Sequence, residues 1–173
     1  YSKYPNWNKI AAAPTDLREM FMKNIEREEK NALEGKPAKI IAKMNSLVDT
    51  GIIKALYRAS MAGVKIELIV RGICCLKTGI PTVSDNITVR SIVGRFLEHS
   101  RIYYFENNGI PKIYLASADW MNRNLDRRVE VAFPIENDDL KKKVMDIIDI
   151  TLRDNLKAKI QQPDGSYKPV DKR

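Results

Sequence analysis

Apolar residues recur along this chain at two spacings, and each spacing predicts a different element. Thr15 or Asp16 can cap a helix running to about Leu33, in which Leu17, Met20, Phe21, Ile25 and Ala32 fall on one uneven stripe and Gly35 stands beyond its end. The run AKIIAKM, Ala38 to Met44, is short, apolar and β-branched at its centre, as a buried strand requires. Thr50-Gly51 opens a second helical stretch, IIKALYRASMA, stopped by Gly63 where a helix commonly needs positive φ. VKIELIV, Val64 to Val70, is another strand. Strand, helix and strand in such close succession imply a right-handed parallel crossover.

Further along, Ile87 to Ile92 alternates weakly and predicts a third strand. Arg101 to Glu106 and Lys112 to Ala118 flank Asn107-Asn108-Gly109, whose residues accept the positive φ of a tight turn, so the two runs predict a hairpin. Arg128 to Ile135 is a further strand with Pro134 near its end. Asp138 to about Leu156 predicts an amphipathic helix with Leu140, Val144, Ile147, Ile148, Thr151 and Leu152 inward. The sum is an α/β domain: a mixed β-sheet flanked by helices, with one hairpin supplying antiparallel strands. Residues 1–15 read as a lead-in from a preceding domain, 16–156 as the domain, and 157–173 as a polar basic tail, a linker or mobile end. Ligands of such folds gather where strands end at their C-termini, which draws attention to Arg71.

Composition narrows the class. The chain is 44% hydrophobic, enough for a sizeable core, and no apolar run approaches the roughly 18 to 20 residues of a membrane span. The start, YSKYPNWNKI, lacks the apolar segment of a secretory signal and reads as a cut inside a longer chain. A net charge of +8 favours anionic partners, whether nucleic acid, phosphorylated metabolites, polyanions or acidic membrane surfaces. Cys74 and Cys75 are adjacent, which suits neither a zinc site nor an ordinary disulfide; reduced, partly buried thiols and a cytosolic setting are the simplest inference. No GxxxxGK[ST], GxGxxG, GxSxG or HExxH signature is present, so any phosphate would be held by Arg, Lys and His side chains.

Candidate chemistry begins at the only histidine, His99. With Arg101 and Glu106 it makes H-x-R-x-x-x-x-E, and side chains two apart on a strand share a side, so imidazole and guanidinium could grip one anion. A solvated Arg101 paired with Glu98 or Glu106 is the bland alternative. The segment SADWMNRNLDRR places Ser117, Asp119 and Asn122 at a strand end, where small polar groups can orient a histidine or donate to phosphate; a surface loop is the alternative, with Trp120 as core. Arg71, followed by Gly72 at the end of a buried strand, can hold a phosphate bidentately. Lys43 and Asn45, near the end of AKIIAKMN, carry weaker support of the same kind.

These motifs carry a resemblance. H-x-R-x-x-x-x-E followed by SADW resembles a degenerate half of the phospholipase D signature, HxKxxxxD with a small polar cluster. More closely, KMNSLVD (Lys43 to Asp49), LIVRGICCL (Leu68 to Leu76), SDNITVRSIVGRFLEHSRIYYF (Ser84 to Phe105) and SADWMNRNLDRRVEVAFPI (Ser117 to Ile135) resemble the last, phospholipase D-like domain of bacterial polyphosphate kinases, from about Ile10 to Asn155. The resemblance implies a phosphotransferase that moves the terminal phosphoryl group of ATP reversibly onto inorganic polyphosphate, through a phosphohistidine in the preceding domain and with Mg²⁺ bound mainly outside this chain. It implies His99 as a second active-site histidine, for acid–base assistance or phosphate binding, and Arg71 as a contact to ATP or polyphosphate; Arg101, Ser117, Asp119, Asn122 and Lys43 stand beside them as supporting candidates by their places near strand ends. It further implies ATP, ADP and polyphosphate as ligands, the remaining domains as partners and self-association of the full-length enzyme. No specific nucleic acid is implied. The setting implied is cytoplasmic, with peripheral membrane attachment open. By itself the fragment is expected to be inactive. Arg101 in place of Lys and Glu106 in place of Asp speak against phosphodiester hydrolysis by this half alone. A phosphodiesterase or nuclease half-site and a non-catalytic polyanion-binding module remain the competing readings.

Overall fold

A computed structural model of the chain describes residues 9–170; the outermost parts of the expected lead-in and tail lie outside the described residues. In chain order the elements are β1 (Ala11–Ala13), α1 (Leu17–Leu33), β2 (Lys39–Met44), α2 (Thr50–Met61), β3 (Lys65–Val70), β4 (Ile87–Ser91), β5 (Ile102–Phe105), β6 (Lys112–Ala116), a π-helical turn (Arg123–Arg127), β7 (Glu130–Pro134), α3 (Asp138–Arg153), β8 (Lys159–Gln161) and β9 (Tyr167–Pro169). Among the described residues the strands form a single mixed sheet in the order β1-β7-β6-β5-β2-β3-β4-β8-β9. The apolar, β-branched runs became its centre, where β2, β3 and β4 are parallel and α2 makes the first crossover. β5 returns antiparallel to β2, and β6 and β7 continue that sense.

Alternation along each strand sorts side chains between two faces. Ile40 and Ala42 of β2, Ile66 and Leu68 of β3, and Tyr103 and Phe105 of β5 meet Leu17, Phe21 and Ile25 of α1 and Ile52, Leu56 and Ala59 of α2 in the main core. Full burial of such side chains stabilises by about 1.5–3 kcal/mol each. The opposite face carries a smaller cluster, Ile41, Ile102, Tyr104 and Ile113 under Ile148 of α3. Asn107, Asn108 and Gly109 take φ values of 49°, 54° and 83°, as the hairpin turn demanded. Beneath that turn the buried Glu28 of α1 accepts from the backbone N–H groups of Lys39 and Asn107. Burial pushes its carboxyl above the ordinary value, against the lowering effect of those two donors.

Four expectations change. The described part of the expected tail, residues 157–170, is not free: β8 pairs with β4 and β9 with β8, and Thr78 N–H donates to Gln161 Oε1 at 2.9 Å while Gln161 Nε2 donates to Leu76 O at 3.0 Å. Those strands are too short and polar to announce themselves, and the sheet edge supplies the missing partners. The lead-in also contributes structure, because Ala11–Ala13 pairs with β7. Asp16 stands at the N-cap of α1 but makes no capping bond; its Oδ1 instead accepts from Ala12 N–H at 2.7 Å. On α3 only Ile148 is fully buried, while Leu140 and Ile147 are half exposed, since this face of the sheet is covered by a single helix that cannot bury so wide a stripe.

Candidate functional site

The sheet gathers its polar strand ends along one edge. β2 leads into Asn45, β3 into Arg71 and β6 into the segment Ser117 to Trp120, while the antiparallel β5 begins there, just after His99 and Arg101. The segment bearing Asp119 is anchored from below. Trp120 is fully buried, its ring 5.0 Å from Tyr103 and 5.6 Å from Phe21, and Tyr103 donates its hydroxyl to Ala118 O at 2.7 Å. The loop after β2 is stitched to both neighbours: Leu47 N–H donates to Ile73 O at 2.8 Å, and Val48 and Asp49 N–H both donate to Trp120 O at 2.9 Å.

Across this edge runs a continuous hydrogen-bonded path. Arg71 Nε donates to Asn45 Oδ1 at 3.0 Å, and Asn45 N–H donates to Asp119 Oδ1 at 2.8 Å. Asp119 accepts from Arg101 through Oδ1 at 3.0 Å and Oδ2 at 3.3 Å, a two-pronged pairing with both partners largely buried. Arg101 then lies alongside the imidazole, with Nη1 at 3.1 Å from Nδ1 of His99 and also donating to the His99 carbonyl at 3.2 Å. Arg101 Nη2 also stands 3.4 Å from Nε2, so the guanidinium faces both ring nitrogens, and whichever is unprotonated in the neutral imidazole can accept from it. His99 itself is exposed. Gly72 completes the geometry: its N–H donates to Asn45 O at 2.8 Å, and a Cβ there would stand 2.9 Å from that oxygen.

Lys43 approaches from the α3 face of β2. Its ammonium, almost wholly buried, donates to Ser100 Oγ at 2.8 Å and Ser100 O at 3.2 Å and pairs with Glu98 at 3.3 Å. Burial above all pulls the ammonium below its ordinary pKa; Glu98 opposes this, and Arg71 and Arg101 add to it. Glu98 is held below the usual carboxylate range, foremost by the Ser100 hydroxyl and N–H. Lys43, Arg71 and Glu98 line a cleft of about 250 Å³ closed on its far side by Ile150, Asp154 and Lys157.

The structure thus brings together Arg71, Asp119, Arg101, His99 and, through Ser100, Lys43. It does not bring in the others. Ser117 Oγ donates to Glu130, which also accepts from Asn124 Nδ2 at 2.6 Å, and Asn122 is exposed without a side-chain hydrogen bond among the described residues. Glu106 lies at the other end of β5, where it accepts from the Tyr104 hydroxyl, so the partner of Arg101 is neither Glu98 nor Glu106 but Asp119. Sequence reasoning weighed Glu98 only as a partner for Arg101 and passed over its tie to Lys43 and Ser100, as it did the bridging role of Asn45; the latter had a signal in its place beside a strand end. It also passed over Arg18, bound to Asp49 at 2.6 Å and Asp126 at 2.7 Å. Cys74 is half buried, its thiol pushed up to about 11 by burial, and Cys75 is exposed; both are free.

Comparison with known proteins shows what the chain as a whole is similar to. The family model described as "Polyphosphate kinase C-terminal domain 2" matches residues 10–173. A polyphosphate kinase of Synechocystis is 55% identical over 96% of this chain, which spans 23% of that relative. The crystal structure of the polyphosphate kinase of Porphyromonas gingivalis superposes over 98% of this chain and 26% of its own, with a TM-score of 0.94 and 41% identity. A phospholipase D family member, Nuc of Salmonella typhimurium, superposes with a TM-score of 0.57 over 80% of this chain and 89% of its own; at 15% identity that likeness concerns the fold alone. The chain spans about a quarter of the length of the polyphosphate kinases it matches.

Proposed function

The chain belongs to the polyphosphate kinase family as its C-terminal domain 2, a phospholipase D-like fold, and from that premise we propose that it supplies one half of a phosphoryl-transfer site. The observation that carries this reading is the path Arg71–Asn45–Asp119–Arg101–His99 along one sheet edge. Phosphoryl transfer asks a protein mainly for positioning and for neutralisation of the charge on the moving group. Arg71 is held only through Nε, so both Nη groups are without a protein partner among the described residues and point their donors at oxygens of ATP or polyphosphate. His99 gives or takes a proton at a phosphate oxygen, a role that contributes about 10²- to 10⁴-fold in rate. Arg101 is held by Asp119 through Nε and Nη2 and turns Nη1 to His99, so it keeps the imidazole in place instead of gripping phosphate itself.

In this reading the terminal phosphoryl group of ATP passes reversibly to the end of a polyphosphate chain by way of a histidine in a domain outside these residues, and His99 stands opposite that nucleophile. The donors of this chain do not suit the implied Mg²⁺. Among the described residues no three His, Cys, Asp or Glu side chains converge, and the two nearby carboxylates, Asp119 and Glu98, already face cations. The ion would therefore be held by nucleotide phosphates and residues outside this chain. ATP, ADP and polyphosphate as ligands, self-association of the full-length protein and a cytoplasmic setting with peripheral membrane attachment belong to the same reading. No helix among the described residues is long and apolar enough to cross a membrane.

The test uses the full-length protein containing this domain. His99→Ala should lower polyphosphate synthesis at least 100-fold, within the general acid–base range, with circular dichroism unchanged. The 173-residue chain alone should make none. Wild-type synthesis by the His99→Ala protein, or turnover by the isolated chain at the full-length rate, overturns the assignment.

A further inference from the structure

His99 sits at the end of an awkward segment. From Ile92 to Arg101 the backbone forms no helix or strand, and Val93, Phe96 and Leu97 expose most of their side chains, so apolar packing does not hold it. What holds it is polar. Lys43 reaches up from β2, donating to Ser100 O and Ser100 Oγ, with Glu98 Oε1 standing 3.3 Å from its ammonium as an ion pair. Glu98 Oε1 in turn accepts from Ser100 N–H at 3.2 Å and from its hydroxyl at 2.7 Å. The two residues flanking His99 are thereby closed into one ring around a buried ammonium, and His99 is the residue between them.

We propose that Lys43 is a positioning residue: it clamps Glu98 and Ser100 so that the His99 backbone is fixed and the imidazole is presented to Arg101. The proposal takes the role of His99 from the phosphoryl-transfer reading. Two other uses of Lys43 fit the geometry less well. As a phosphate ligand it would have to turn its buried ammonium away from the Ser100 carbonyl and hydroxyl and from the Glu98 carboxylate. As the base of a Ser–Lys pair it would need the Ser100 proton, but that hydroxyl donates to Glu98 while the ammonium donates to the hydroxyl. The rigid end of the clamp is β2, paired with β3 on one side and β5 on the other, so a strand in the middle of the sheet sets the position of a loop that has no packing of its own.

The experiment has two arms. In the first, backbone ¹⁵N relaxation is measured on this chain and on Lys43→Met, which keeps the apolar stem and removes the charge. Order parameters of Glu98, His99 and Ser100 should fall from about 0.85 to below about 0.6, while those of β2 and β5 stay unchanged. Glu98→Gln, at an exposed position, is the second variant and should give a smaller fall in the same residues. In the second arm, Lys43→Met in the full-length protein should lower kcat about 10- to 100-fold with KM for nucleotide changed less than about twofold, the signature of misplacement without lost binding. Unchanged order in Glu98 to Ser100 in both folded variants overturns the clamp. A rise in KM at constant kcat overturns it in favour of direct phosphate binding. A wild-type full-length protein without phosphotransfer activity would defeat the functional reading instead, and the relaxation arm would still decide the clamp.

Discussion

Arg18 and Arg71 lie on the same chain with opposite fates. Arg18 has four of its five donors on carboxylates: Nη1 and Nη2 reach Asp49 at 2.9 and 2.6 Å, and Nε and Nη2 reach Asp126 at 2.8 and 2.7 Å. It ties α1 to the N-cap of α2 and to the π-helical turn, across 108 residues of sequence in the second case. Both carboxylates, Asp126 foremost and then Asp49, raise its pKa. Arg71 has one neutral partner, Asn45, on Nε alone. The contrast separates two uses of one residue type. Where two carboxylates of the fold take all three nitrogens, the guanidinium is architecture; where a single amide orients it and the rest faces outward, it waits for an anion.

The comparison breaks most visibly at Arg71. In the full-length protein Arg71→Ala should reduce polyphosphate synthesis about 10³-fold, the size of a lost charge-stabilising contact, and leave the urea midpoint of unfolding within error. A variant that loses stability instead, with activity per folded molecule intact, would put Arg71 in the same class as Arg18.

Arg18→Met should do the reverse. Asp49, almost fully buried, would be left with only the backbone N–H groups at the start of α2, and breaking a wholly buried pair costs about 3–5 kcal/mol. Arg18 is itself 33% exposed, so about 2–3 kcal/mol is expected at pH 7, read from urea unfolding of this chain. The pH dependence sharpens the point. Burial works against ionisation of Asp49, but Arg18 first and then the Ile52 and Gly51 N–H groups outweigh it and hold the carboxyl below its ordinary value. A depressed carboxylate stabilises the fold above its unfolded pKa, near 3.9, and that stability is lost as pH falls through the folded value. The deficit of Arg18→Met should therefore shrink below about pH 4; a deficit constant from pH 7 to pH 3 would show that the pair is not its source. Smallest of all, Asn122→Ala should change stability by less than about 0.5 kcal/mol and synthesis by less than twofold, because that side chain is exposed and unbonded. A tenfold loss would bring Asn122 into the site after all.

Much of the fold was legible before any coordinates. The strands β2, β3, β5 and β6 and the turn at Asn107 to Gly109 followed from apolar runs and from residues that tolerate positive φ, signals that are local. The hairpin of β8 and β9 was not, since a three-residue polar strand exists only because β4 offers it an edge. Nor was the polar side of α1: Asn24, Glu28 and Asn31 continue its buried stripe, and a hydropathy pattern counts them as surface. At the site, Arg71, His99, Arg101 and Asp119 could each be singled out by residue type beside a strand end. Their order of connection could not.

What the sequence determines alone is the set of elements and the residue types at their ends, because period, turn chemistry and β-branching act over a few neighbours. Tertiary structure decides which ends share an edge. Asn45 meets Asp119 across 74 residues, Arg71 meets Asn45 across 26, and Lys43 meets Ser100 across 57. These contacts arise from strand order and register, so the difference between an arginine held by carboxylates and an open one is written in the pairing of strands and nowhere in the spacing of letters.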